Sequence, residues 1–161
     1  MRLRAIAIHG DAAEQLDTLL VAFLADAGAT AALLLDRGGQ PLATTGPVPG
    51  PDAASVGALA AGAFASTGAL ARLLGEPEFT SLFHEGAHER LHVSAVDEDT
   101  LLLALFDVRT TAGMVRLFAR ETARAIARLL EDQRLRPRRI GALAAPMTDD
   151  EARQAIGHRP A

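Results

Sequence analysis

A long segment without charge constrains this chain more than any other feature. Charged residues make up 22% of the sequence, yet from Ala53 to Ala71 not one occurs. Alanine is dense there, Asp52 can cap the start, and Gly75 followed by Pro77 closes the end, so the pattern predicts a helix over about 53–74. Gly57, Gly62 and Gly68 each cost up to ~1 kcal/mol of helix propensity relative to Ala, so packing must hold it. A charge-free helix in a small domain needs cover on more than one side. A sheet of its own chain can supply one cover; a second chain must supply the other. Helical spacing assigns Val56, Leu59, Ala60, Ala63, Thr67, Leu70 and Leu74 to the core. Ala58, Ala61, Gly62, Ala65, Ala69 and Arg72 then form a flat outer face on which another backbone can come close.

The elements around this helix follow from period and punctuation. Leu16, Leu19, Leu20, Phe23 and Leu24 recur at helical spacing, which predicts a helix over about 12–27. Asp11 and Glu14 form a capping-box variant at its start, and Gly28 stops it. Ala31 to Leu35 and Leu42 to Thr45 are short apolar runs joined by Asp36-Arg37-Gly38-Gly39, a hairpin turn. Gly46 to Pro51 holds three prolines and two glycines and reads as a loop. Strands are predicted over about 79–85, from Leu91 to Val96, and from Leu101 to Phe106. The last is apolar on both faces and belongs in the middle of a sheet covered on both sides. Thr110 or Thr111 can cap a final helix over about 112–131, with Val115, Phe118, Thr122, Ile126 and Leu129 inward. Arg116, Arg120, Arg124 and Arg128 make an i, i+4 stripe, which reads as a solvated face or as a lure for an acidic partner. Consecutive hairpins give an antiparallel sheet, so the fold class is an α+β sandwich.

Outside that domain, residues 1–10 offer an edge strand from Arg2 to Ile8. Residues 133–161 read as a flexible Arg/Pro/Ala tail, with a short helix headed by Thr148. The opening segment is too short for the apolar core of a signal peptide, and no uninterrupted apolar run approaches the ~18 residues of a membrane span. A cytoplasmic location without membrane insertion is the expectation. No cysteine occurs, which excludes disulfides, thiolate metal sites and cysteine nucleophiles. All basic residues are Arg, and the net charge of −4 argues against a nucleic-acid partner.

One string looks catalytic. His84-Glu85-Gly86-Ala87-His88 matches H-E-x-x-H, a zinc-hydrolase pattern that needs both histidines on one helix face. Here a glycine interrupts it and the next residues alternate as a strand, so the reading is a hairpin with solvated imidazoles. His92 reads as a surface strand residue rather than a third ligand. No phosphate-binding loop, dinucleotide fingerprint or nucleophile elbow is present, so no catalytic, cofactor-binding or metal residue is nominated.

Several stretches together resemble the roadblock-domain family. They are Leu33-Leu34-Leu35-Asp36-Arg37-Gly38-Gly39, Leu70-Ala71-Arg72-Leu73-Leu74-Gly75-Glu76, Leu82-Phe83-His84-Glu85-Gly86, and Phe106-Asp107 with Thr110-Thr111-Ala112-Gly113-Met114-Val115-Arg116-Leu117. Within that family the likeness is to bacterial regulators of cell polarity and gliding motility. The resemblance covers about residues 10–131 and implies a roadblock domain over 11–132. It implies a five-stranded antiparallel sheet with the order helix, two strands, helix, three strands, helix, and a homodimer whose third strands pair across a two-fold axis. It further implies that a Ras-like small GTPase, GTP-loaded, docks on the long helices at Ala58, Ala61, Gly62, Ala65, Ala69 and Arg72. Hydrolysis would then be stimulated by repositioning the GTPase's own groups, without an arginine finger. A non-catalytic roadblock adaptor is the second reading, and a zinc hydrolase built on His84, Glu85 and His88 the remote third.

Overall fold

A computed structural model of the chain describes residues 8, 10–50 and 52–143, with side chains placed as far as 135. The elements are α1 (Asp11–Ala27), β1 (Ala31–Asp36), β2 (Pro41–Thr45), α2 (Ala53–Leu74), β3 (Ser81–Glu85), β4 (Arg90–Ala95), β5 (Thr100–Phe106) and α3 (Ala112–Leu143). The segment expected to form an N-terminal strand and the short helix expected after Thr148 lie outside the described residues, apart from Ile8.

The strands form one five-stranded antiparallel sheet in the order β2-β1-β5-β4-β3. The two-faced apolar strand β5 sits at its centre between β1 and β4, as its composition requires. Alternation sorts the core into two layers. Leu33, Leu35, Val93, Leu101, Leu103 and Leu105 point to the face covered by Ala60, Ala61 and Phe64 of α2. Leu34, Leu102, Ala104 and Phe106 point to the opposite face, packed on Leu16, Leu20 and Phe23 of α1 and on Val115, Ala119, Ile126 and Leu130 of α3.

Two details differ at the helix ends. Gly10, at φ 55°, occupies the N-cap of α1, and Asp11 lies inside the first turn without a capping hydrogen bond. Its charge still favours the positive end of the helix dipole. Thr111 caps α3 through its Oγ1, which accepts from the Met114 amide at 3.2 Å. Thr110 instead donates its hydroxyl to the Ala27 carbonyl at 2.7 Å, tying the end of α1 to the start of α3.

α3 runs past the end near 131 that apolar periodicity sets, and Pro137 lies within it. Arg and Leu around that proline are good helix formers, so propensity extends the helix where no apolar face marks it. Residues from Glu131 onward form a separate compact unit, whose described part is this C-terminal stretch of helix.

Candidate partner-docking surface

The construction of α2 begins at its cap. The Asp52 carboxylate accepts a hydrogen bond from the Ser55 amide. That backbone bond, with a further one from the Ser55 side chain, holds the Asp52 carboxyl below the usual carboxylate range. Beyond the cap, Gly57 sits against the turn between β1 and β2. A Cβ placed on Gly57 would lie 2.3 Å from the Gly39 carbonyl oxygen, and one on Gly39 would lie 2.5 Å from the Ala58 Cα. Gly39 also holds φ at +87°, which favours glycine. Helix and turn therefore meet backbone to backbone. Arg37 fastens the same turn: its guanidinium donates to the Asp97 and Glu98 carbonyls at 2.7 and 3.0 Å and lies 5.6 Å from the centre of the Phe64 ring.

That close seat fixes which side of α2 faces the sheet, and it reverses part of the expected assignment. The buried residues are Gly57, Ala60, Ala61, Phe64 and Ala71. Small residues face inward because only they allow the backbone so near β1 and its turn. Leu59, assigned to the core by spacing, is 77% exposed, and Leu70 and Leu74 are exposed as well. Of the six residues expected on the outer face, Ala58, Gly62, Ala65, Ala69 and Arg72 are exposed, whereas Ala61 is 3% exposed and belongs to the core. Leu73, 85% exposed, joins the outer face. Sequence spacing missed it and Leu59 because leucine is ordinarily read as core; the glycine at position 57 was the signal that the small side faces inward.

The outer face is thus a run of Leu59, Gly62, Ala65, Ala69, Leu70 and Leu73 with Arg72 at its margin. It carries ridges as well as flats. α2 as a whole is long and apolar enough to cross a membrane by length and composition, although glycines, serines and a threonine interrupt its apolar residues. One of its faces is committed to the sheet.

β3 supplies a second open surface. It is the end strand of the sheet, hydrogen-bonded to β4 alone among the described residues. The Gly86 amide donates to the Glu89 carbonyl and the Ala95 amide to the Thr80 carbonyl. Alternation then gives positions 80, 82, 84 and 86 to β4, and leaves the amides of Ser81, Phe83 and Glu85 directed away from the sheet.

The H-E-x-x-H string spans the end of β3 and the turn after it. His84 is registered opposite Leu91, and Glu85 is bound to Arg90 at 2.8 Å. The two histidines share no helix face, and among the described residues no cluster could hold a metal ion. His92 departs from expectation: it is 4% exposed, on the β4 face turned toward α3. Beyond β5, Arg109 donates through Nε to both Asp107 oxygens at 2.8 and 3.0 Å. This bond holds the Asp107 carboxyl below its ordinary range and raises Arg109.

No curated protein sequence matches the chain significantly. Among solved structures, an MglB with a tetrameric arrangement is 34% identical, covers 80% of this chain and 96% of its own, and superposes with a TM-score of 0.74. The gliding protein MglB of Thermus thermophilus is 34% identical over 80% of this chain and 97% of its own, with a TM-score of 0.72. Myxococcus xanthus MglB is 33% identical over 73% and 96%, with a TM-score of 0.68. The sequence model of the Roadblock/LC7 domain matches residues 15–106, which run from within α1 to the last residue of β5. With three helices around that sheet and these relatives at its side, the chain belongs to the Roadblock/LC7 domain family.

Proposed function

We propose that this chain is an MglB-like regulator of a Ras-like small GTPase of the MglA kind, acting in the cytoplasm in cell polarity and gliding motility. It works as a homodimer, joined by the outward amides of β3, and binds the GTP-loaded GTPase across the outer faces of its α2 helices. It has no active site of its own. Hydrolysis is stimulated because the docked surface repositions catalytic groups of the GTPase. The observation that carries this reading is the exposed outer face of α2, uncharged from Leu59 to Leu70, whose leucines and small residues offer contact area without a charge, while Arg72 lies at the rim. Ala58, Gly62, Ala65, Ala69 and Arg72, with Leu59 and Leu73, form the contact. The second reading, a roadblock adaptor without effect on hydrolysis, uses the same surface.

The deciding experiment mixes the chain with the MglA-like GTPase of the same source and follows phosphate release. Acceleration supports a GTPase-activating role, and a GTP-dependent complex without acceleration favours the adaptor. Absence of both overturns the docking proposal. Ala65→Arg and Ala69→Arg add bulk and charge on exposed positions, so the expected outcome is loss of the complex with an unchanged circular dichroism spectrum. Normal binding by both variants places the contact elsewhere.

A further inference from the structure

A groove of about 430 Å³ opens on the sheet face opposite α2, between β4 and α3. Its floor includes His92 and Ser94 of β4, with Thr80 and Ser81 beside them. Its wall on α3 is formed by Arg116, Arg120 and Arg124. Neither ring nitrogen of His92 has a hydrogen-bond partner among the described residues, and the same is true of the Ser94 Oγ, although both side chains are buried. Leaving a buried polar group unpaired is costly, and folded chains rarely leave two side by side. Both line the groove, so a molecule seated there would meet them.

The lining specifies the chemistry of that molecule. Three arginines, three hydroxyl-bearing residues and a histidine line the groove, and among the described residues no carboxylate-bearing residue does. Among the described residues, none of the three arginines is held in an ion pair. The set therefore fits an anion. Guanidinium groups bind phosphate oxygens through two parallel hydrogen bonds. Arginines four residues apart on a helix are ~6 Å apart along its axis, so an extended anion such as a diphosphate can meet successive arginines where a single phosphate meets fewer. Ala95, Val96, Ala123 and Ala127 complete the lining with apolar surface for an uncharged remainder.

We propose that this groove binds a small molecule carrying a diphosphate group, gripped by Arg116, Arg120 and Arg124, with His92 and Ser94 donating from the floor. The site does not depend on the docking of a GTPase, since it lies on the opposite face of the sheet from α2. His92 adds a proton linkage. Burial, and after it the charge of Arg116, holds the imidazole below its ordinary range. Arg116 and Arg120 face it across the groove, its neighbour in register on β3 is Phe83, and the adjoining position on β5 is Ala104. An anion placed among these groups favours the imidazolium, so protonation of His92 adds to binding as the pH falls.

Calorimetric titration of the full chain with sodium pyrophosphate, orthophosphate and ADP, at constant ionic strength, tests the site. Pyrophosphate is expected to bind about ten-fold or more tightly than orthophosphate. Between pH 8 and pH 6 the free anions themselves take up protons, so the His92 linkage is read as the difference between the parent chain and His92→Gln. Arg120→Glu should weaken pyrophosphate by about ten-fold or more, the equivalent of one charged hydrogen bond lost. Arg128→Glu, one turn beyond the groove, should leave it within about two-fold. Relative to His92→Gln, the parent chain should gain affinity as the pH falls from 8 to 6. ADP separates two sources of the same group: binding as tight as pyrophosphate marks a nucleotide-like ester, and binding of pyrophosphate alone marks the inorganic anion. No pyrophosphate binding in the millimolar range overturns the proposal. So does equal weakening by the two arginine variants, equal affinity for the two inorganic anions, or a pH dependence that His92→Gln leaves unchanged.

Discussion

Gly39 and Gly57 are the residues on which the orientation of α2 turns. At Gly57 an added methyl meets the Gly39 carbonyl oxygen at 2.3 Å and Leu35 Cδ2 at 2.9 Å, whereas at Gly62 it meets nothing within 4 Å. The same substitution should therefore have opposite signs at two glycines of one helix. Gly57→Ala is expected to cost about 1–3 kcal/mol through overpacking, even though alanine is the better helix former. Gly62→Ala should stabilise the fold by up to ~1 kcal/mol. Urea unfolding midpoints of the two variants check both signs. The contrast also marks what could be read from sequence at this scale. All three helix glycines were visible as costs, but only the turn pressed against Gly57 shows which one is required. Leu59 and Ala61 exchanged their expected places for that reason. A wheel ranks leucine above alanine for burial, while a helix seated this close at Gly57 turns Ala60 and Ala61 inward, with Phe64 beyond them. His92 was misread for a related reason: alternation put it opposite Leu91 and Val93 on β4, and α3 covers that side too.

At the scale of elements, the boundaries of α2 were legible because both ends carry side-chain or backbone chemistry of their own. Asp52 caps the start, and Gly75 ends it at φ 76° with its amide returned to the Arg72 carbonyl. The cap has a pH signature. Its folded-state pKa lies below the unfolded carboxylate value of ~3.9. Its contribution is therefore complete above that value and disappears as the pH falls through the folded one. Asp52→Ala should be less stable than the parent chain at neutral pH, and the gap should close as the pH is lowered below about 4. Urea midpoints at pH 7 and pH 3 measure the difference. The far end of α3 was illegible by the same standard. Apolar spacing stops at Leu130, and the continuation to Leu143 rests on propensity, which periodicity does not report.

For the whole molecule, the layer arrangement followed from one strand: a segment apolar on both faces must be sandwiched, and β5 is. Pairing within hairpins was legible too. The joining of β1 to β5 was not, because nothing local links residues so distant in the chain. The proposed homodimer has its test at the edge of β3, which pairs only with β4 among the described residues. Phe83 directs its amide away from β4, so Phe83→Pro removes no bond to β4 and blocks pairing between two copies. Its ring also packs on Phe106, with centroids 6.1 Å apart, and Phe83→Leu controls for that loss. Sedimentation velocity should find a monomer for the proline variant and a dimer for the leucine variant; a proline variant that remains dimeric places the junction elsewhere. The outer leucines of α2 carry a consequence for the life of the protein in a cell. A newly made copy without a companion displays an apolar ridge of the sort that chaperones and proteases capture. Its abundance should then follow the supply of whatever covers that ridge, so that surplus copies are cleared and the two sides stay in proportion without a dedicated control circuit.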